Sequence, residues 1–466
     1  MTPTILGLIA AAIGLLLLLR GSLRAMFAYL NLLSLMGGAA AIIMTALGGS
    51  SIPPVELGLG FAALRILLPG SGQVAAFGAA VRANILFVLF VLFGVLMAFV
   101  GPRLFAHQMQ IAPMKMAVTG SLFTTADLVP TSQNVTTAIY LLGTLMGAAI
   151  AYVAMRDRQA PRSFVNTGVW IGWLHVFTGI FGALSRGRPW NVVIDVFRNG
   201  NYAQTEQFYG GYARINGIMP EPSSYALFAF AWFVFLAECW WRDVLPRRTG
   251  PIALALLLIL AASTSTTAYA GIFGYGALVA LRILFFPRGL PFHKAIILVG
   301  LVIVLIGLGA LLLAAMPALL DTAQAMIADM TVNKKGSDSG LQRVFWARLG
   351  LQAFIHSGGL GIGPGSFRSS SIVTAIIGST GVIGSTMFLL YLIQVIRPLN
   401  RSTYLQPADF AQGVGVAASW AAVAMMIPAA AMAASPDPGI TFAIFAGISL
   451  ALRSPHRAAP PDVARA

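Results

Sequence analysis

The 466-residue chain is apolar and poor in charge: 58% of its residues are hydrophobic, 9% are charged, and the formal net charge is +15. A soluble domain carries about a quarter charged residues, so this composition excludes a single soluble core. Long apolar runs recur along the whole chain without the ten-residue alternation of a transmembrane β-barrel. The sequence therefore predicts an all-α, polytopic membrane protein.

The positive charge does not indicate nucleic-acid binding, because the basic residues lie mostly in short clusters between apolar runs, as the positive-inside rule requires. The single cysteine, Cys239, lies in an apolar run, so no internal disulfide is predicted. The first apolar run is followed by Arg20 and Arg24 and has no basic segment before it. We interpret it as a first transmembrane helix and not as a signal peptide.

Hydropathy predicts about 13 transmembrane helices in a single transmembrane domain over 1–466. The predicted helices cover 4–19, 25–47, 55–68, 83–100, 134–155, 164–184, 225–241, a hairpin of two over 252–284, 295–315, 372–396, 410–432 and 440–452. The basic clusters place the N-terminus outside and the C-terminal tail, 453–466, in the cytoplasm.

Two long outer loops, 185–222 and 316–371, are rich in arginine. Long translocated loops are exempt from the charge rule, so their arginines need another explanation. Arginine is suited to bidentate binding of phosphate, and several converging arginines fit a diphosphate whose lipid tail stays in the bilayer. The alternative is that these side chains snorkel to lipid headgroups or pair with nearby carboxylates.

The first loop contains Arg198 and ends in a segment that concentrates polar chemistry. Arg214 lies among glycines, and Glu221 stands seven residues later in the Pro-Glu-Pro at 220–222. The prolines predict a stiff, non-helical entry into the next apolar run, with Ser223 or Ser224 as the N-cap. Glu221 is then expected at a helix N-terminus, at the membrane–water boundary.

The second loop is predicted to hold an amphipathic helix at the membrane interface, because its apolar residues have helical spacing over 341–353. Arg343 lies near the start of this helix, His356 near its end, and Arg368 farther along the loop. The glycine-rich run at 358–365 predicts a loop whose backbone amides are exposed and able to cradle an anion. A GxGxG run alone is more often only a turn.

The sequence gives no sign of a cofactor. No group of His, Cys and Asp residues has metal-ligand spacing, and no P-loop pattern is present. We therefore expect neither a structural metal nor nucleotide hydrolysis.

Two motifs resemble the Wzy polymerase and O-antigen ligase superfamily over roughly 181–384. The first comprises Arg214, Gly217, Pro220 and Ala226, and the second comprises Arg343, Trp346, His356, Gly361, Gly363, Gly365 and Phe367. Two features depart from the family pattern. The usual proline after the histidine is replaced by the Ser-Gly-Gly at 357–359, and the turn at 263–267 lacks the Ser-Arg that relatives often carry.

The resemblance implies a metal-independent glycosyltransferase of GT-C type in the bacterial inner membrane, with its active site facing the periplasm. Such an enzyme moves a glycan from undecaprenyl diphosphate to an acceptor sugar hydroxyl, and a chain-length regulator or export complex would be its partner. The diphosphate would be stabilised by Arg214 and Arg343, with further substrate contacts from Arg198, Arg368, Gly361, Gly363 and Gly365. Either His356 or Glu221 would act as the base, and we place His356 first.

The acceptor distinguishes two activities that share the same donor: polymerisation of repeat units, which we favour, and ligation of the glycan to lipid A-core. Two other classes stay open, a transporter of an amphiphilic or lipid-linked substrate and a non-catalytic subunit of an export complex. Transporters favour ionisable residues at mid-depth of the membrane, whereas here most charges lie in the outer loops.

Overall fold

The structure, a computed structural model, describes residues 2–44, 50–69, 71–114, 123–200, 208–209, 212–285, 293–294, 296–297, 300, 307, 338–397 and 409–453. The predicted helix over 295–315 lies largely outside these residues, and so do segments 316–337 and 454–466 of the predicted loop and tail.

The described residues form mainly helices. They are α1 Ile5–Arg20, α2 Leu23–Leu33, α3 Pro54–Leu67, α4 Val74–Ala83, α5 Ile85–Leu104, α6 Ser132–Ala154, α7 Ala160–Ser185, α8 Asn191–Val196, α9 Pro222–Trp241, α10 Pro246–Ala262, α11 Thr266–Phe285, α12 Asp338–His356, α13 Ile372–Ile396, α14 Phe410–Ala424, α15 Met426–Ala429 and α16 Ile440–Ala451.

Seven stretches in the described part of the chain are long and apolar enough to cross a membrane: α5, α6, α7, α9, α11, α13 and the continuous 410–429 stretch of α14 and α15. Four shorter apolar helices, α1, α2, α4 and α16, accompany them. Large apolar side chains such as Phe273 and Trp170 are exposed on the outside of the bundle, as a lipid-facing surface requires. The prediction of an all-α membrane protein is confirmed, whereas the number of spans and their orientation stay predictions.

Short strands form three small antiparallel sheets. The strands β1 (Thr2–Pro3), β2 (Ile42–Met44) and β3 (Ser50–Ile52) pair in the order β1-β2-β3. The other two sheets are pairs: β4 (Gln110–Ile111) with β5 (Ala126–Asp127), and β6 (Phe208–Tyr209) with β7 (Tyr212–Ala213).

The predicted helix over 25–47 is the clearest difference, because α2 is only 11 residues long and ends at Leu33. The chain then runs irregularly against the Arg-Glu segment of the first loop. The Gly38 amide donates to the Ile218 carbonyl over 3.0 Å, and a Cβ atom at Gly38 would lie 2.5 Å from that oxygen. This close approach of two backbones, distant in sequence, replaces the second half of the predicted helix.

The hairpin predicted over 252–284 is confirmed as α10 and α11, which are joined at 263–265. The helix predicted over 341–353 is confirmed as part of α12. In contrast, the N-cap of α9 is Glu221 and not Ser223 or Ser224, and Pro222 is the first helical residue. Proline suits that position because its amide would be unpaired in any case and its φ is preset for a helix.

Aromatic rings fill the centre of the bundle. The Trp232 ring of α9 lies 5.5 Å from Phe164 of α7 and 5.1 Å from Phe445 of α16, measured between ring centroids. All three side chains are almost completely buried. Such ring pairs contribute about 0.5–1.5 kcal/mol each beyond the area that they bury, so they fix how the three helices pack.

Helices α5 and α7 end, and α6, α9 and α13 begin, at the same end of the bundle, which we call the site end. There the side-chain amide of Asn134 donates to the Pro364 carbonyl over 2.9 Å and to the Ser366 hydroxyl over 3.0 Å. The Arg368 amide donates to the Ala112 carbonyl over 2.8 Å. The connections before α6 and before α13 therefore pack together at this end.

Candidate functional site

Two arginines of the first loop hold the backbone that leads into α9. Arg198 donates through Nε to the Gly217 carbonyl over 2.7 Å and through Nη2 to the Asn216 side chain over 2.8 Å. Arg186 donates to the same Asn216 oxygen over 2.6 Å and to the Arg214 carbonyl over 2.8 Å. These hydrogen bonds fix the segment at 214–217 in place.

The substrate-binding role of Arg198 stays a prediction, and the contacts that the structure gives this residue are internal ones. Its side chain is buried, at 5% exposure, and its hydrogen bonds go to the protein's own backbone and to Asn216. Burial lowers the pKa of Arg198 to about 10; nearby Arg186 lowers it further, and Asp195 opposes the shift. The side chain stays charged at neutral pH.

Gly217 allows this arrangement because it has a positive φ of 50° and no room for a side chain. A Cβ atom there would lie 3.0 Å from the Tyr225 ring and 3.2 Å from the Gly179 amide nitrogen. The next residues, Ile218 and Met219, are buried, and the chain then reaches Glu221.

Arg214 reaches across to another connection at the site end. Its Nη2 atom donates to the carbonyl of Thr264, in the turn between α10 and α11, over 3.3 Å. The sequence predicted Arg214 to bind a diphosphate together with Arg343. The structure places Arg214 on the α10–α11 side of the site.

Glu221 lies at the N-terminus of α9, where the helix dipole favours a negative charge. The Ser223 hydroxyl donates to its carboxylate, and the Ser224 hydroxyl donates over 3.4 Å. The predicted capping serines thus orient the carboxylate and do not cap the backbone. This carboxylate also interacts electrostatically with Arg368, which joins the two polar segments that the sequence predicted to meet.

Arg368 is the most distinctive cation of the site. Its guanidinium carbon lies 4.7 Å from the centroid of the Trp346 ring, and its Nε atom is buried without a hydrogen-bond partner. Burial lowers the pKa of Arg368, and the nearby Glu221 carboxylate acts in the opposite direction. The Arg368 side chain is half-buried, and a buried donor such as its Nε atom is costly unless it has a hydrogen-bond partner.

Arg343 lies on the same helix as Trp346, one turn earlier. Its Nη1 atom is 3.4 Å from the Ala431 carbonyl, and its own carbonyl accepts from the Ser370 hydroxyl over 2.6 Å. Among the described residues, neither Arg343 nor Arg368 takes part in an ion pair. The structure thus brings Arg343, Arg368 and Glu221 to one place.

The connection between α15 and α16 is a part of this site that the sequence analysis did not include. The Ser369 amide donates to the Ala434 carbonyl over 3.0 Å, and Ala431 contacts Arg343 as described. The signal in the sequence is the Ser-Pro-Asp-Pro at 435–438, a turn between the predicted helices over 410–432 and 440–452.

His356 is not brought together with these groups. It is the last residue of α12, its side chain is exposed, and no side-chain hydrogen bond joins it to another described residue. It follows Arg343 by 13 positions on the helix, which is about 20 Å along the axis at 1.5 Å per residue.

The glycine-rich loop also differs from expectation, because its amides are used inside the protein. Gly361 donates to the Ser357 hydroxyl over 2.8 Å, and the Gly363 amide donates to the Ser379 carbonyl over 3.0 Å. The prediction that these amides are exposed is wrong.

The loop glycines instead serve close packing. A Cβ atom at Gly363 would lie 2.3 Å from the Met97 carbonyl oxygen, and one at Gly365 would lie 2.3 Å from that of Gln133. Gly361, Gly363 and Gly365 all have a positive φ, between 82° and 94°. The loop therefore fits between α5, the start of α6 and α13.

Within the described ranges, no three His, Cys, Asp or Glu side chains are grouped so as to hold a metal ion. Comparison with protein-family models, with curated proteins and with solved structures gives no match to this chain.

Proposed function

We propose that this protein is a membrane glycosyltransferase, of the Wzy polymerase and O-antigen ligase type, that uses undecaprenyl-diphosphate-linked glycan as its donor. The observation that carries the proposal is the Arg368 guanidinium, held over Trp346 with a buried, unused Nε donor and no ion-pair partner among the described residues. A diphosphate supplies the negative charge and the acceptor oxygens that this cation lacks.

The site fits a charged leaving group. In the transfer, the acceptor hydroxyl oxygen forms a bond to the anomeric carbon of the donor, and the bond from that carbon to the diphosphate oxygen breaks. The electron pair leaves with the diphosphate, where Arg343 and Arg368 stabilise the developing charge. The hydroxyl proton goes to a base, and Glu221 is the carboxylate that interacts electrostatically with Arg368.

An enzyme fits the charge distribution better than a transporter does. Glu238 is the one acidic residue in the seven candidate spans of the described chain. It forms ion pairs with Arg242 and, over 2.9 Å, with Arg282, and it accepts from the Tyr275 hydroxyl over 2.5 Å. These bonds satisfy a buried charge, so Glu238 is not left free to bind cargo.

The direct test is transfer by the purified protein in lipid nanodiscs, with a defined lipid-diphosphate-linked oligosaccharide as the donor. We expect Arg368→Gln to lower the rate by about a hundredfold, the size typical of a lost charge-stabilising donor. The matched control is Arg188→Gln, because Arg188 also lies over a tryptophan, Trp190, at 5.5 Å, but both side chains are exposed. Equal rates for wild type and Arg368→Gln would overturn the proposal.

Deletion of the gene for this protein in its native host distinguishes the two possible acceptors. Single repeat units left on the lipid anchor indicate that the protein is a polymerase, as we propose. Long chains left on undecaprenyl diphosphate indicate a ligase, and an unchanged surface glycan contradicts both activities.

A further inference from the structure

A cavity of about 570 Å³ lies away from the arginines, between the β2–β3 hairpin, α3 and α6. Its walls are mostly apolar and include Phe61, Leu64 and Ile139. Leu64 and Ile139 are 52% and 53% exposed on the outside of the bundle, so the cavity reaches the lipid-facing surface. It has the size and lining of a site for the tail of an amphiphile.

A carboxyl group lies at the inner wall of this apolar cavity. Glu56 lines the cavity and packs so closely on α6 that a Cβ atom at Gly143 would lie 2.7 Å from its Oε2 atom. It interacts electrostatically with Asp437, from the connection before α16. Neither carboxyl forms an ion pair with another described residue. Carboxyl groups in such a place are costly, and this indicates a functional use.

Asp437 is held in place from its own connection. Its Oδ1 atom accepts from the Gly439 amide over 3.1 Å. Burial raises the pKa of Asp437 to about 6, which this hydrogen bond only partly offsets. The residue is therefore less ready to ionise than an exposed aspartate.

A second, independent observation points to a ligand. Ser51 lines the same cavity, is 5% exposed, and its hydroxyl has no hydrogen-bond partner among the described residues. The neighbouring Tyr140 hydroxyl, also on the cavity wall, donates over 3.2 Å to the backbone carbonyl of Ser51 and not to its hydroxyl. Buried polar groups are almost always hydrogen-bonded, so the Ser51 hydroxyl indicates that a polar ligand binds in the cavity.

The chemistry of these groups selects the ligand. Carboxyl groups accept hydrogen bonds from hydroxyls and repel phosphate, and the apolar walls accept a hydrocarbon chain. The two groups differ in charge: Arg368 lies over Trp346 and interacts with the Glu221 carboxylate, whereas Glu56 of α3 interacts with a second carboxyl, Asp437. An anionic lipid suits the first group and not the second.

We propose that the cavity between α3 and α6 is a binding site for a neutral, hydroxyl-bearing amphiphile of the glycolipid class. Its chain lies along the apolar walls, and its sugar hydroxyls donate to Glu56 and pair with Ser51. This site stands on the cavity and its polar groups, and it does not depend on the proposed transfer activity.

The test is equilibrium binding of a radiolabelled alkyl glucoside to the full-length protein in nanodiscs. The Gly60→Phe variant blocks the cavity, because Gly60 lines it and a Cβ atom there meets nothing within 4 Å. Gly78→Phe is the matched control, since Gly78 also has open space at its Cβ position but lies on α4 away from the cavity. We expect saturable binding that Gly60→Phe abolishes and Gly78→Phe leaves unchanged.

Glu56→Gln tests the polar contact, and we expect it to weaken glucoside binding by up to about tenfold, in keeping with the net strength of one hydrogen bond. Competition with an alkyl phosphate and an alkyltrimethylammonium of equal chain length distinguishes the headgroups. Stronger competition by either one than by unlabelled glucoside contradicts the proposal, and so does wild-type binding by Gly60→Phe. Thermal unfolding of each variant verifies that it is folded, and the transfer rate is measured separately.

Discussion

Arg368 lies over the indole ring of Trp346, with its guanidinium carbon 4.7 Å from the ring centroid. The two residues come from different elements, the connection before α13 and helix α12. The ring holds the cation by its negative face and leaves the edges of the guanidinium available to a ligand. In this way a half-buried positive charge is positioned without an ion pair among the described residues.

Trp346→Leu should therefore disturb donor binding more than it disturbs the chemical step. We expect the KM for the lipid-diphosphate donor to rise about tenfold, because a cation–π contact contributes up to about 2 kcal/mol when it is desolvated. Steady-state transfer kinetics measure this effect. Trp190→Leu removes the exposed pair with Arg188 and is expected to leave KM unchanged. A fall in kcat alone in Trp346→Leu would contradict the assignment.

Arg198→Gln is expected to destabilise the fold, because it leaves the Gly217 carbonyl without its charged donor in a buried position. Hydrogen bonds to charged groups contribute about 1.5–3 kcal/mol, so the loss should be visible as a lower Tm. Thermal unfolding in detergent measures it, with Arg188→Gln as the exposed control. A variant that unfolds like wild type but no longer binds donor would restore Arg198 to its predicted role in substrate binding.

A comparison of Glu221→Gln with His356→Ala identifies the residue that takes the proton from the acceptor hydroxyl. Because Glu221 interacts with Arg368 and His356 is exposed at the far end of α12, we expect Glu221→Gln to lose about 10²-fold in kcat. His356→Ala should keep most of its activity. The opposite outcome, an inactive His356→Ala beside an active Glu221→Gln, would support the base that the sequence analysis placed first.

Orientation is tested by two single cysteines at opposite ends of the bundle. Val192 follows α7 at the site end, and Arg247 lies in the first turn of α10; both are exposed. Since the basic clusters predict that the site end faces the periplasm, Val192→Cys should react with an impermeant thiol reagent in cells, and Arg247→Cys should not. The native Cys239 is buried and should give no background. Labelling of Arg247→Cys without labelling of Val192→Cys would show that the orientation is opposite to the predicted one.

Asp437 makes stability depend on pH in a defined direction. Burial raises its pKa from 3.8 to about 6, so the fold favours the protonated form. Its contribution to stability is therefore fully present below about pH 4 and is lost as the pH rises through 6. We expect a higher Tm at pH 5 than at pH 7.5, with a smaller difference in Asp437→Asn. The same difference in both proteins would show that another group is responsible.

Local patterns predicted much of the fold. Hydropathy gave the bounds 372–396 for α13, which the structure repeats, and the Pro-Glu-Pro at 220–222 correctly marked the start of α9. These features depend on neighbouring residues alone. The early end of α2 could not be predicted, because it depends on the contact between Gly38 and Ile218, 180 positions away in the sequence.

The candidate site was predictable in composition but not in arrangement. Arg343, Arg368 and Glu221 were identified from residue type and motif, and the structure brings them together. The separation of His356 follows from where α12 ends, and the motif carries no information on that distance. Glu56 and Asp437 were not recognised because each is a single acidic residue in its own stretch of sequence. Only the packing of α3 and α6 with the connection before α16 brings them together.

The glycine-rich loop leaves no room for a side chain at three of its glycines. At Gly361, Gly363 and Gly365 the first carbon of any side chain would meet backbone atoms at 2.3–2.5 Å, and those atoms cannot turn aside. Even alanine at these positions therefore forces the backbones apart. Nearby Gly358 has nothing within 4 Å of its Cβ position and bears only the strain of its positive φ. Tolerance to substitution along this loop therefore follows the proximity of other backbones, and it is independent of the polarity of the new side chain.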